Sequence, residues 1–356
     1  MIELETFLAE ISSANETAAR RAKAHWDNCA KPLGSLGLLE EVIIRMAALK
    51  ETENICLSKK ALAVFCADNG VVRQGVSQSG SEVTAHVTDH LATGRTCVCQ
   101  MARVAGCRVV PVDVGVFNYP AVKGVLSRRV RNGTEDITQR PAMTREETLQ
   151  AIEIGISLVK ELDADLLATG EMGIGNTTTA SAVAAVLLGV SPKEVTGRGA
   201  GLSDAGLAKK QAAIEAALSL HRPNPKDPVD VLCKVGGLDL AAMCGMFLGG
   251  AAYRVPVLAD GFISNVAALC AITLCPNAKK AIFASHLSAE PAAKMLEERL
   301  ALHPVLHAGM RLGEGTGAVA VMPLLDMALT VYNESYTFEE CGIDAYQPQQ
   351  TETCLF

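Results

Sequence analysis

Short, continuously apolar or β-branched runs recur along the chain, and five of them end in a polar residue followed by a glycine, a turn or the start of a helical pattern. They are ALAVFCADNG (61–70), RVVPVDVG (108–115), DLLATGEMG (165–173), VPVLADG (255–261) and AIFASH (281–286). A strand buried on both faces of a parallel sheet has no solvent side, so it reads as an unbroken apolar run rather than an alternation. Between the runs lie longer stretches with helical spacing, enough to cross over and return in the same direction. The pattern predicts an α/β fold with a doubly wound, mostly parallel sheet. In such sheets ligands bind beyond the carboxyl ends of the strands. The polar residues there, Asp68, Asp113, Glu171, Asp260, Ser285 and His286, are the first candidates for chemistry.

The two chain ends read differently. The first 50 or so residues are Ala-rich with helical spacing, a loop at KPLGSLG (31–37) and a further helix from Leu38 to about Glu51. After about Val331 the segment YNESYTFEECGIDAYQPQQTETCLF loses periodicity. The expected organisation is 1–55 as the N-terminal helical part of a small domain, 56–331 as the large α/β domain, and 332–356 as a tail packing with the small domain or at an oligomer interface. Residues 261–278, GFISNVAALCAITLCPNA, carry no charge, but Asn265, Pro276 and Asn277 interrupt them and the ends lack anchors. A buried core helix is expected there rather than a membrane span.

Composition narrows the partner. The chain has 356 residues, 49% of them hydrophobic and 20% charged, which is the balance of a folding globular protein. Its net charge of −7, with no Lys/Arg-rich block, lacks the electrostatic footprint of a nucleic-acid binder. The acidic start MIELETFLAEISSANE has neither the basic region nor the apolar run of a signal peptide, so a cytoplasmic setting is expected. Twelve scattered cysteines without a CxxC pair then read mostly as small buried apolar residues kept reduced.

Three glycine clusters carry the strongest local signals. MRLGEGTGAV (310–319) has G-x-G-x-G spacing, which is neither the dinucleotide fingerprint nor a Walker loop. It leads into a helix from Ala318 to about Leu329, whose free N–H groups favour an anion. Structural turn and binding loop are equal readings until Glu314 is weighed; a carboxylate facing substrate rather than water is a proton acceptor. TGEMGIGNTTTASA (169–182) puts Glu171 just past a strand, with Gly173, Gly175 and Asn176 before a helix, where Asn and Thr are also ordinary caps. TGRGAGLSDAGLAKK (196–210) ends in Lys209 and Lys210, candidates for a phosphate. Ser288 in SHLSAE is a helix cap or a phosphate ligand. His86 and His90 have metal spacing, but the HExxH glutamate and a third ligand are missing, so no metal site is expected. Residues alone thus point to an α/β enzyme acting on a small anionic ligand, with one or two glutamates at its site.

Seven segments together resemble the nicotinate-nucleotide:dimethylbenzimidazole phosphoribosyltransferase family: KPLGSLGLLE (31–40), CADNGV (66–71), GEMGIGNTT (170–178), RPNPKDPVDVLCKVGGLDLAAMCG (222–245), LADGFIS (258–264), SHLSAE (285–290) and RLGEGTGA (311–318). They occur in the family's order across about residues 25–330. The resemblance implies transfer of phosphoribose from nicotinate mononucleotide to an aromatic base. It implies a Rossmann-like domain with a small helical domain built from both chain ends, a homodimer, and no metal or redox cofactor. It also implies that Glu314 is the general base and Glu171 the second site glutamate. Lys210, Ser288 and Gly199 match positions around the donor phosphate and ribose. Pro32, Ser79, Val87, Gly173, Asn176, Asp260, Leu312, Gly313 and Gly315 complete the expected substrate-binding set.

Two departures bear on the acceptor. Leu33 stands where the family commonly has a second proline, and Val87 where a benzimidazole-type pocket often has glutamine. A phenolic or purine-like acceptor, or a heterodimer with a paralogous chain, is the alternative within the family. Outside it stand an NAD-dependent oxidoreductase, disfavoured by the missing fingerprint, and a non-catalytic nucleotide-binding subunit, disfavoured by retention of both glutamates.

Overall fold

The computed structural model describes residues 3–347; Cys354 and the remainder of the expected tail after Gln347 lie outside the described residues. Six strands form one sheet: β1 (Lys60–Ala67), β2 (Cys107–Gly115), β3 (Leu126–Ser127), β4 (Leu166–Met172), β5 (Val257–Ala259) and β6 (Ile282–Ala284). Their order is β3-β2-β1-β4-β5-β6, and every pairing is parallel. The five apolar runs are β1, β2, β4, β5 and β6. Only β3 went unforeseen, because two residues opposite Val112 and Asp113 are too few to show a period.

The chain builds outward from β1 to β3, returns to the other flank of β1, and builds outward again from β4 to β6. The order therefore reverses between β1 and β4, and at such a switch point the diverging connections leave a crevice above the strand ends. Register brings Phe65 opposite Glu171 and Cys66 opposite Met172, so the Glu171 end of β4 sits level with the end of β1.

Helices cover the sheet closely. Arg145–Glu161 and Leu238–Tyr253 cross through two glycines, where a Cβ on Gly155 would come within 1.9 Å of the Ala242 carbonyl and one on Gly245 within 1.9 Å of that of Ile152. The uncharged stretch forms the helix Phe262–Leu274, of which every residue through Ala271 is buried. No helix among the described residues is long and apolar enough to cross a membrane.

The chain divides into two compact units, residues 1–13 with 57–322 and residues 14–56 with 323–356. The first helix, Leu4–Ala9, thus groups with the sheet rather than with the rest of the N-terminal segment. Its anchors explain this: Asn277 Nδ2 donates to the Ile11 carbonyl (2.8 Å), Lys280 Nζ to that of Ser12 (2.8 Å), and Phe7 meets the Tyr253 ring edge-on. In the second unit, helices Glu16–Asn28 and Leu38–Lys50 bury Trp26, which packs edge-to-face on Tyr332. A part-buried ion pair between Lys31 and Glu40 (2.6 Å) ties the KPLGSLG loop to the second of these helices.

Candidate active site

A cavity of about 360 Å³ opens at the carboxyl ends of β4, β5 and β6, within the larger unit. Glu171, Gly173 and Asn176 reach it from the end of β4, Asp260 from β5, His286 and Ser288 from β6, and Leu312, Gly313 and Glu314 from the last glycine loop. Gly199 lines it from the 197–202 loop, and Ser79 and Val87 from the segment after β1. Val83 and Val87 of the helix Glu82–Ala92, with Met172 and Ile174, make one apolar wall suited to a flat ring.

Three expected residues are placed differently. Pro32 belongs to the second unit and does not line the cavity. Gly315 lies behind the lining and gives its N–H to Asp260 (3.1 Å). Lys210 is 1% exposed and sits beneath the glycine loop, donating to Thr177 Oγ1 (2.8 Å) and to the Gly197 carbonyl (3.2 Å). Burial lowers its ammonium to about 8. A Cβ on Gly199 would lie 3.0 Å from Thr177 Oγ1 and 3.5 Å from Nζ, so the lysine sits directly behind Gly199 and Thr177, both of which line the cavity.

The last glycine loop carries the central geometry. Gly313, Glu314 and Gly315 all take positive φ (85°, 61° and 88°), a left-handed run that costs a non-glycine residue about 1–2 kcal/mol. Asp260 holds it there. Its Oδ1 accepts from the N–H groups of Gly317 (2.7 Å) and Ala318 (3.1 Å), and its Oδ2 from that of Gly315. The helix begins at Thr316 and runs to Glu334, longer than expected. The anion its N-terminus favours is this buried carboxylate of the protein itself, so the loop is not a phosphate cradle.

Glu171 supports the same loop from the other side. Asn176 Nδ2 donates to Glu171 Oε2 and, at 3.0 Å, to Asp239 Oδ2, while the Glu314 N–H faces the Glu171 carboxylate. Asn176 is therefore not a helix cap; Gly175 occupies the cap position. Ser288 is not one either, since the following helix starts at Ala293. A Cβ on Gly313 would stand 2.6 Å from Glu171 Oε1, so any side chain there would push the two glutamates apart. Gly170 is equally confined, with its Cβ position 2.7 Å from the Glu314 carbonyl.

The electrostatics are one-sided. Burial pushes Glu171 well above the carboxylate range, and Asp239 and Asp260 add to it. Burial lifts Asp239 to about 6 and raises Glu314, with Asp260 contributing to the latter. Glu314 Oε2 is buried without a hydrogen-bond partner. The cations among the lining residues are Arg198, which is exposed and engaged with Asp204, and the exposed Arg311. Glu171, Asp239 and Glu314, buried with no cationic side chain among the described residues acting on them, suit a cationic ligand.

Asp68 and Asp113 serve structure instead. Asp68 accepts from the Phe117 N–H, and Asp113 pairs with Arg129 and accepts from the Val116 N–H, so both pin the 116–133 loop. Ser285 is spent on backbone carbonyls. Asp239 was missed: in GGLDLAAM it reads as an ordinary first-turn acid, and no local signal ties it to Asn176.

A cavity beside the switch point of a parallel sheet, with paired glutamates and one apolar wall, defines an α/β enzyme acting on a small molecule. A family model described as Phosphoribosyltransferase matches residues 11–343. The nicotinate-nucleotide–dimethylbenzimidazole phosphoribosyltransferase of Acetivibrio thermocellus is 47% identical over 326 residues, 91% of this chain and 93% of its own length. That of Ruminiclostridium cellulolyticum is 46% identical over 347 residues, 97% of this chain and 99% of its own. The crystal structure of CobT from Thermus thermophilus matches with a TM-score of 0.87 at 40% identity, covering 92% of this chain and 99% of that one. The chain belongs to the nicotinate-nucleotide:dimethylbenzimidazole phosphoribosyltransferase family and is a phosphoribosyltransferase.

Proposed function

We propose that this chain transfers the 5-phosphoribosyl group of nicotinate mononucleotide to a ring nitrogen of dimethylbenzimidazole or a related aromatic base. The C1′–N bond to the pyridinium breaks with its electron pair and releases neutral-ring nicotinate. The acceptor's lone pair forms the new C1′–N bond from the opposite face, giving the α-configured nucleotide, and its N–H proton passes to Glu314. The observation that carries this reading is Glu314 itself: a buried, unpartnered oxygen on a carboxyl raised above its ordinary range, which is a base waiting for a proton donor.

The acid cluster fits the donor. A pyridinium ribose brings the positive charge that the lining lacks, and the oxocarbenium-like sugar of the transition state brings it closer to Glu171. A cation in the cavity favours the ionised form of Glu171, offsetting the burial that raises it. At the other end, Gly199, Ser288 and the charge of Lys210 beneath its loop suit the donor phosphate. The reading includes a cytoplasmic dimer, for which exposed Met327, Tyr336 and Ile343 offer apolar surface. Sedimentation of the purified chain reads its state, with a paralogous chain as the alternative partner.

The test is nicotinate release from nicotinate mononucleotide with benzimidazoles, adenine and phenols as acceptors. Release that depends on a nitrogen base supports the reading. Silence with every base, or release that needs a phenol and a second chain, sinks it.

A further inference from the structure

His286 follows β6 with its side chain only 4% exposed, yet it lines the cavity together with Ser288. Two glycines make the slot that its ring fills. A Cβ on Gly317 would come within 1.8 Å of Nδ1, and one on Gly261 within 3.2 Å of Cε1. In that slot Nδ1 faces Ser285 Oγ at 3.2 Å and Asp260 Oδ1 at 4.0 Å.

Counting hydrogens fixes the ring's tautomer. Ser285 Oγ lies 2.7 Å from the carbonyl oxygens of both Ala259 and Asp260, which only accept. Its single hydroxyl hydrogen is committed to them, so toward the ring Oγ accepts. The Asp260 carboxylate beyond it also favours a donor. Nδ1 therefore carries the hydrogen, and in the neutral ring Nε2 presents a bare lone pair. Among the described residues no hydrogen bond reaches Nε2.

A lone pair on a buried wall calls for a hydrogen-bond donor. An ionised phosphate or carboxylate offers none, whereas a sugar hydroxyl does. We infer that His286 Nε2 accepts a hydrogen bond from a ribose hydroxyl of the bound phosphoribosyl donor, making His286 a donor-binding residue that holds the sugar in place. This rests on the phosphoribosyl-transfer reading above. Gly317 is then part of the same device, because only hydrogen at that position leaves room for the ring.

The experiment is calorimetric binding, without acceptor base, of nicotinate mononucleotide, its 2′-deoxy and 3′-deoxy forms and the phosphate-free riboside, to the full chain and to His286→Ala. One deoxy donor should bind the unmodified chain about tenfold more weakly than the parent. His286→Ala should weaken the parent and the riboside by about the same factor and treat that deoxy donor as the unmodified chain does. His286→Gln, whose carbonyl oxygen can accept, should recover part of the loss. If the alanine variant fails to fold, the comparison is made with His286→Asn, judged by the same thresholds. Equal weakening of all four ligands, no weakening, or weakening confined to ligands with phosphate overturns the inference. Because no acceptor is present, a chain that binds the donor but never transfers it refutes the transfer reading alone.

Discussion

Replacing Asp260 by asparagine keeps the shape of the side chain and removes the charge that three N–H groups converge on. Asparagine has one acceptor oxygen, so it can serve either Gly315 or the Gly317–Ala318 pair, and its amide group then faces the donors it abandons. Hydrogen bonds to a charged group contribute roughly 1.5–3 kcal/mol each, and a buried N–H left without an acceptor costs about 1–3 kcal/mol. Against this, the variant no longer buries a carboxylate that its surroundings already raise. The balance is a loss of about 2–4 kcal/mol, read as a lowered urea midpoint with an unchanged slope. Catalysis should suffer separately. Freed from Asp260, the loop can release the roughly 1–2 kcal/mol held in left-handed Glu314, and about 1.4 kcal/mol is tenfold in population. We expect kcat to fall about 5- to 30-fold, with KM for the donor moving less. Stability and kcat both within twofold of the unmodified chain would show that this carboxylate does not hold the loop.

Glu314→Gln should lower kcat by roughly 10²–10⁴-fold while the donor still binds. It should also stabilise the fold at high pH. A carboxyl raised on folding penalises the native state as pH climbs from its ordinary range through the raised value, so the gain in urea midpoint should be present at pH 8 and vanish at pH 4. A gain of the same size at both would assign it to packing. Gly313→Ala meets Glu171 Oε1 at 2.6 Å and strains a φ of 85°, so kcat should drop at least tenfold, measured as base-dependent nicotinate release. Val87→Gln adds an amide to the apolar wall and should shift acceptor preference toward bases with a second polar edge, read as the ratio of kcat/KM across the acceptor panel.

The sheet was legible because burial on both faces leaves the middle of a strand apolar: β5 and β6 are wholly apolar, and β1, β2 and β4 carry their charged residues at or near their ends. The two residues of β3 were not, since their pairing comes from the 116–133 loop that Asp68 and Asp113 pin. The glutamates were legible by position, at a strand end and among glycines. What surrounds them was not. Asp239 meets Asn176 across 63 positions of sequence, and Asp260 reaches the 315–318 backbone across 55 or more. Lys210 shows the limit of residue type: the cation was found, but its place beneath Gly199 depends on a fold of the loop that composition does not encode. The left-handed φ of Glu314 is likewise invisible locally, because neighbouring carboxylates impose it.

The most direct measurement compares two acceptors, benzimidazole and 1-methylbenzimidazole, with the unmodified chain and Glu314→Gln. Both rings attack through an unprotonated nitrogen, but only the first has an N–H proton to lose. If Glu314 takes that proton, the substitution slows transfer to benzimidazole by at least about a hundredfold and leaves transfer to the methylated base within a few-fold of the unmodified chain. An equal loss with both acceptors would contradict the account.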